Sequence, residues 1–243
     1  EEVIMVNESL ERQHLELQEK NTAITDSIQY ARTIQKAILP TQNFRRKVFP
    51  KSFLIYRPKD IVSGDFFWIK RIGSLKLIAC VDCTGHGVPG AFMSMIGSSL
   101  LDRIVQINGA REPSKILFEL HHNLVNALNQ RESGNQDGMD MSICVIDEKR
   151  RKLEFAGAKN PLIYVRNNEL HQVEADRLCI GGSLRSETED RKFTKHIIPL
   201  EEHPTEFYIC SDGYQDQFGG RNKRKFMSKR LRNLLFSIHK DSM

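Results

Sequence analysis

CVDCTGHGVPGAF, residues 80–92, packs one aspartate, two cysteines and three glycines around His86 and Pro89. An apolar run over residues 75–81 leads into it, and a helical pattern over residues 91–107 leads out. Apolar run, glycine-rich punctuation and 3.6-residue periodicity in that order predict a strand, a tight turn and a helix, with Asp82 at the strand's end.

Outward from this unit, short apolar or alternating runs predict strands at residues 52–56, 66–72, 141–146, 152–156, 161–165, 168–173, 193–200 and 205–210, besides the one at 75–81. Turn signals such as Ile72-Gly73-Ser74, Asp147-Glu148-Lys149-Arg150 and Asn167-Asn168 separate them. Connections of hairpin length imply antiparallel pairing. Two long helical patterns interrupt the strands, one from Pro89 to Asn108 with Gly109 as its stop signal, the other from Ser114 to Gln130. The expected class is α+β, antiparallel sheets in a layered sandwich with helices on their faces.

Residues 3, 10, 17, 24, 31 and 38 are Val, Leu, Leu, Ile, Ala and Ile, an interval of seven without Gly or Pro before Pro40. This predicts one long helix with a coiled-coil-like stripe. The companion seam is polar (Gln13, Lys20, Ser27), so a single helix packed on its own domain is the other reading. The division expected is a linker helix over residues 1–40 and a second unit over residues 41–243.

At 243 residues and 40% hydrophobic, the chain can bury a proper core. No apolar run approaches the ~18–20 residues of a membrane span, and no signal peptide is visible. The five cysteines (80, 83, 144, 179, 210) mostly sit inside apolar runs, which suits buried thiols in a reducing cytoplasm. The net charge of +5 is uneven: residues 1–39 hold seven acids against four bases, residues 221–240 eight Lys/Arg and no acid. Phe226, Leu231, Leu234 and Leu235 recur there at helical spacing, so the basic stretch reads as the solvated face of an amphipathic helix, not a nucleic-acid site. A docking surface for an acidic partner is the other reading.

Three aspartates share one context, at the end or start of an apolar run: Gly64-Asp65-Phe66 and Ser211-Asp212-Gly213, each touching a glycine, and Val81-Asp82 before the glycine-rich turn. Any one alone is a turn signal. Together, with no His or Cys in matching positions, they suggest a hard oxygen-ligand site for Mg²⁺ or Mn²⁺. Cys80-Val81-Asp82-Cys83 has no second cysteine pair for zinc, and Gly85-His86-Gly87-Val88-Pro89-Gly90 lacks the G-K-[ST] ending of a phosphate loop.

The residues Asp82-Cys83-Thr84-Gly85-His86-Gly87 resemble the D-x-x-G-H-G signature of the SpoIIE-type bacterial serine/threonine phosphatases, a branch of the metal-dependent protein phosphatase 2C-like superfamily. In the same order as that family stand Ile34-Gln35-Lys36-Ala37-Ile38-Leu39-Pro40, Ile61-Val62-Ser63-Gly64-Asp65-Phe66, Ala156-Gly157-Ala158 before Pro161, and Ser211-Asp212-Gly213-Tyr214. The resemblance covers roughly residues 30–235.

The resemblance implies an αββα sandwich with a site for two Mn²⁺ or Mg²⁺ ions at one end. Asp82 would bridge both, Asp65 and the Cys83 main-chain carbonyl would hold the second, and Asp212 the first. The strand delivers Asp82 rigidly, the glycines let the backbone come close, and the helix from Pro89 supports the loop. Three departures stand out. The family usually has another acid where Trp68 stands. His86 lies four residues after the bridging aspartate, and is read as a general acid or as a residue that structures the loop. The family's last metal aspartate lies in a Q-x-D-D strand beyond the final helix, so the unit over residues 41–243 is expected to lack its C-terminal end and to bind at most one Mn²⁺ tightly. Asp137 and Asp140 are accessory metal candidates with a plain turn as the alternative, and Arg57 and Lys59 are candidates for steering a phosphate.

The function implied is a cytoplasmic protein serine/threonine phosphatase, the output domain of a signalling protein, using metal-activated water on a phosphorylated anti-sigma-factor antagonist. Homodimerisation through the N-terminal helix is expected, with no nucleic acid and no membrane segment. The alternative is a catalytically silent signalling and dimerisation module on the same fold.

Overall fold

The computed structural model describes residues 2–182, 191–200, 204–220 and 223–241, with side chains from residue 4 onward. The chain opens with the helix α1 (Glu2–Ile38), which stops before Pro40, where a proline ring could not continue it. A short helix that the sequence pattern did not predict, α2 (Gln42–Val48), follows at once, its first turn capped by the Thr41 hydroxyl accepting the Phe44 amide at 3.2 Å.

Residues 52–56, expected as a strand, form none: Phe53, Leu54 and Ile55 stand exposed in an extended segment without a ladder partner. The strands begin with β1 (Phe66–Ile72) and β2 (Leu75–Cys83), a hairpin turning at Gly73. The helix α3 (Gly87–Asp102) runs on through a widened turn, Arg103–Ile107, and the chain leaves it at Gly109, as expected. Next come α4 (Pro113–Ala127) and the one-turn α5 (Gln130–Ser133). After them lie β3 (Gly138–Asp147), β4 (Lys152–Ala158), β5 (Leu162–Arg166), β6 (Glu169–Val173), β7 (Ile180–Gly181), β8 (His196–Pro199), β9 (Thr205–Tyr208), β10 (Phe218–Gly219) and β11 (Arg224–Lys225). The helix α6 (Ser228–Ile238) ends the described chain. The two-residue strands β7, β10 and β11 are too short for any periodicity to announce.

The pairing is antiparallel between all these strands, as hairpin connections demand. The first sheet has the order β1-β2-β3-β4-β8, with β7 also on β3; the second has the order β6-β5-β9, and β10 and β11 pair with each other in a small ribbon. Strand alternation then sorts every side chain into a layer. Leu77, Ala79, Val81 and Cys83 of β2, with Met139, Met141, Ile143 and Val145 of β3, face the helices and pack on Leu101, Ile116, Leu120 and Leu124. The opposite face carries Ile78, Cys144, Ile146, Leu153 and Phe155, which meet Leu162, Tyr164 and Phe207 of the second sheet. The far face of that sheet, with Ile163, Val165 and Tyr208, is closed by Leu231 and Leu235 of α6. The order helix, sheet, sheet, helix is the αββα sandwich.

The basic stretch near the C-terminus behaves as an amphipathic helix over its described part, with Leu231 and Leu235 buried and Lys229 and Arg230 exposed; Arg221 and Asn222 lie outside the described residues. On α1, Leu10, Leu17, Ile24 and Ile38 of the seven-residue stripe are exposed, and the Val3 side chain lies outside the described residues.

At one end of the sandwich the loop before β1 presses on the turn after β2, backbone against backbone. A Cβ on Gly90 would sit 2.6 Å from the Gly85 carbonyl oxygen and 3.0 Å from the Gly64 Cα, and one on Gly64 would sit 2.7 Å from the same oxygen. No side chain fits either position unless the loops separate. Gly90→Ala, although better for helix propensity, is therefore expected to destabilise the protein by about 1–3 kcal/mol, the usual cost of overpacking, in a urea unfolding titration. A variant as stable as the wild type would show that these loops can part freely.

Candidate metal centre

Asp82 projects from the inner face of β2, between the two sheets, directly across from Asp140 of β3. The β1–β2 register pairs Phe66 with Val81, so one residue further on Asp65 lies opposite Asp82. Asp212 comes from the other sheet, four residues after Tyr208 ends β9. The three carboxyl groups come together: Asp65 and Asp212 both lie close enough to Asp82 to act on its carboxyl group. The Ser211 hydroxyl donates to Asp65 Oδ2 at 2.7 Å and ties the end of the second sheet to the start of the first.

Asp65 and Asp82 are half-buried, Asp212 is exposed, and none of the three forms an ion pair among the described residues. Burial, and then the neighbouring charges of Asp65 and Asp212, push the Asp82 carboxyl up to about 8. Acidic oxygens crowded together without a counter-charge fit hard divalent cations. Among the described residues no three such side chains close round a single point as a finished cage. Asp82 is the member that the other two have in common, and any cation held here would keep water among its ligands.

The Cys83 side chain points the other way, into the core under the helices, where burial pushes its thiol well up and leaves it no part at the carboxylates. Its main-chain oxygen lies in the packed loop junction, 3.2 Å from where a Gly64 Cβ would be, beside the residue before Asp65.

Asp137 and Asp140 part ways. Asp140 lies within the electrostatic reach of Asp212, and Lys159 Nζ stands 3.1 Å from each of its carboxylate oxygens. Burial raises the Asp140 pKa in spite of that lysine. The Asp137 carboxylate accepts from Thr84 Oγ1 at 3.0 Å and Asn135 Nδ2 at 2.7 Å, the partners of a turn residue.

His86 stands exposed at the start of α3, its Nδ1 2.8 Å from Asp60 Oδ2, which links the glycine turn to the segment before β1. Arg57 and Lys59 lie in that segment, exposed and without an ion pair among the described residues. They run between Tyr56, whose hydroxyl donates to the Asp65 carbonyl at 3.2 Å, and Asp60. Trp68 is 2% exposed and its indole N–H donates to Asp102 Oδ1 at 2.6 Å, so this position belongs to the core.

The sequence reading missed Lys159 and Ser211. Both lie inside or beside quoted motifs, but only the fold shows that Lys159, at φ 61° after β4, turns back to Asp140.

The family model described as Stage II sporulation protein E (SpoIIE) matches residues 76–243. Among solved structures, the SiaA-PP2C domain of Pseudomonas aeruginosa is 33% identical and superposes with a TM-score of 0.79, over 90% of this chain and 83% of that one. The S. agalactiae serine/threonine phosphatase superposes at a TM-score of 0.51 with 14% identity, over 77% of this chain and 90% of that one. A bacterial serine phosphatase, solved as a point variant, gives 0.52 with 13% identity, over 72% and 77%; at such identities the likeness speaks for the fold. No curated protein sequence matches the chain. These likenesses favour an enzyme over a silent module on the same fold. From its matched residues, its sandwich and the likeness to SiaA, the chain belongs to the SpoIIE family, and with it to the PP2C-type protein phosphatases.

Proposed function

We propose that the protein removes phosphate from phosphoserine or phosphothreonine on a partner protein, with Mn²⁺ or Mg²⁺ at the Asp65–Asp82–Asp212 cluster, two ions in a complete site. One observation carries this reading: three carboxylates from separate segments of the chain converge, and none of them forms an ion pair among the described residues. When bound, the ions would supply Lewis acidity for activating water and neutralising phosphoryl oxygens. Asp82 would be shared between them, with Asp65 and the Cys83 carbonyl on one side and Asp212 on the other.

The remaining residues would handle the phosphoprotein. Arg57 and Lys59 raise the local concentration of a phosphate dianion at the cluster's border. Lys159, held by Asp140, keeps a positive charge on the carboxylate next to the cluster. Phe92 near the start of α3, and Tyr214 and Phe218 after Asp212, are large exposed apolar side chains, better suited to a protein surface than to a small ester. We read the substrate as an anti-sigma-factor antagonist-type phosphoprotein and the chain as the output domain of a signalling protein. Five cysteines without disulfides suit the cytoplasm, and no described helix is long and apolar enough to cross a membrane.

The exposed stripe of Leu10, Leu17, Ile24 and Ile38 is what a second copy of α1 would cover, giving a homodimer joined by a parallel helical pair. Placing Asp at Leu17 and Ile24 should then shift the protein toward monomer in sedimentation velocity. A wild type that is already monomeric at tens of micromolar (roughly the range of a weak association) would rule the pairing out.

Hydrolysis of an aryl phosphate and of a phosphoserine protein, with and without Mn²⁺, tests the activity. Wild-type turnover should need the metal and disappear with EDTA. Asp82→Asn should lower it by more than about 100-fold, since even residues that merely support metal ligands cost 10- to 100-fold. Full turnover by that variant at saturating Mn²⁺ would take Asp82 out of the centre.

A further inference from the structure

From residue 4 to residue 38, α1 buries a single side chain, and it is polar: Gln35, 3% exposed. Ile28 and Ala31 are half-buried on the same stripe, and every other side chain of that span faces solvent. An amide in such a place costs stability unless both of its ends are satisfied. Here they are. Gln35 Nε2 donates to the Ser63 carbonyl at 2.6 Å and to Ser94 Oγ at 2.8 Å, and Gln35 Oε1 accepts the Ser63 amide at 3.1 Å.

The side chain thus grips both polar groups of one residue's backbone, as a neighbouring strand would, in a loop that has no strand beside it. Ser63 is two residues from Asp65, and its own hydroxyl accepts the Asp65 amide at 3.1 Å. Ser94, the third point of contact, lies on α3 and donates back to Ala91 in the first turns of that helix. Between Ser63 and Asp65, Gly64 is the residue locked against Gly85 and Gly90. On the far side, Tyr56 donates to the Asp65 carbonyl. Gln35 is the link in this chain that comes from outside the sandwich.

We propose that Gln35 is a positioning residue for the metal centre: through Ser63 it holds Asp65 at its spacing from Asp82, so the linker helix is part of what builds the site. This rests on Asp65 being a metal ligand, as proposed above. Gln35 touches neither metal nor substrate in this role.

The test compares Gln35→Leu with Ile28→Ala, which loosens the same helix without touching Ser63. Calorimetric titration with Mn²⁺ gives affinity, amide hydrogen exchange gives the protection of Ser63 and Asp65, and thermal unfolding checks the fold. Gln35→Leu should weaken Mn²⁺ binding roughly tenfold, about the worth of one net hydrogen bond, and expose both amides to exchange. Ile28→Ala should leave affinity and protection as in the wild type. If Gln35→Leu does not fold, Gln35→Glu keeps the shape and the acceptor for Ser63 N–H but loses the donor, and should show the same two losses in milder form. Wild-type affinity and protection in the Gln35 variants, or equal losses from Ile28→Ala, would overturn the proposal. A wild type that binds no Mn²⁺ would instead sink the reading of the metal centre, and exchange at Ser63 would still decide whether the clamp exists.

Discussion

Asp82 is held close to both Asp65 and Asp212, and three such carboxyl groups free in water would drift apart. Two unit charges about 4 Å apart repel by about 4 kcal/mol at an effective dielectric near 20, a large fraction of the ~5–15 kcal/mol that keeps a whole domain folded. The fold tolerates this because the groups sit on supports that cannot yield independently. Asp82 is in a nine-residue strand paired on both sides, and Asp65 leads directly into that strand's neighbour. Asp212 sits in the turn that follows β9 of the opposite sheet, and its neighbour Ser211 ties that turn across to Asp65. Drawing Asp212 away from the other two would mean breaking that tie between the sheets.

The helices serve the same end from behind. The face of β2 and β3 opposite the carboxylates is apolar from Leu77 to Cys83 and from Met139 to Val145, and is pressed on α4 and the end of α3. The inner face turns acidic at its rim, where Ile78 and Cys80 give way to Asp82, and Cys144 and Ser142 to Asp140. Burial therefore does two jobs along one strand: it holds the sandwich together, and it keeps water from screening the acidic rim. The junction at Gly64, Gly85 and Gly90 completes the arrangement by removing side chains where two loops must touch.

Much of this was legible in the sequence, for a physical reason. Residues 75–92 announce strand, turn and helix because period-two burial, glycine conformations and helical spacing change abruptly there, and β2 and α3 fall within a few residues of the expected limits. Asp65, Asp82 and Asp212 were found because each stands where an apolar run meets a glycine-bearing turn. What escaped depended on distance in the fold. Apolar content alone marked residues 52–56 as a strand, yet no strand lies alongside to pair with them. The two-residue strands exist only because a partner lies alongside. Nothing local separates Asp137 from Asp140, three residues apart; one faces a turn and the other the cluster because the β3 register starts at Gly138. Lys159 and Gln35 were silent for the same reason, since their partners lie 19 and 28 residues away.

The shape of α1 carries a mechanical consequence. Its 37 residues extend about 55 Å at 1.5 Å per residue, but only the stretch from Ile28 to Gln35 is seated on the sandwich. With its pivot near Ala31, the free arm is roughly 40 Å long and the arm reaching Gln35 about 6 Å. Such a rod has a mechanical advantage of several-fold: a small force on its distal end arrives at the Ser63 backbone multiplied, and a displacement of several ångströms arrives divided by the same factor. A motion too coarse to be matched to a metal site is thereby geared down to fractions of an ångström, the scale on which carboxylate spacing matters.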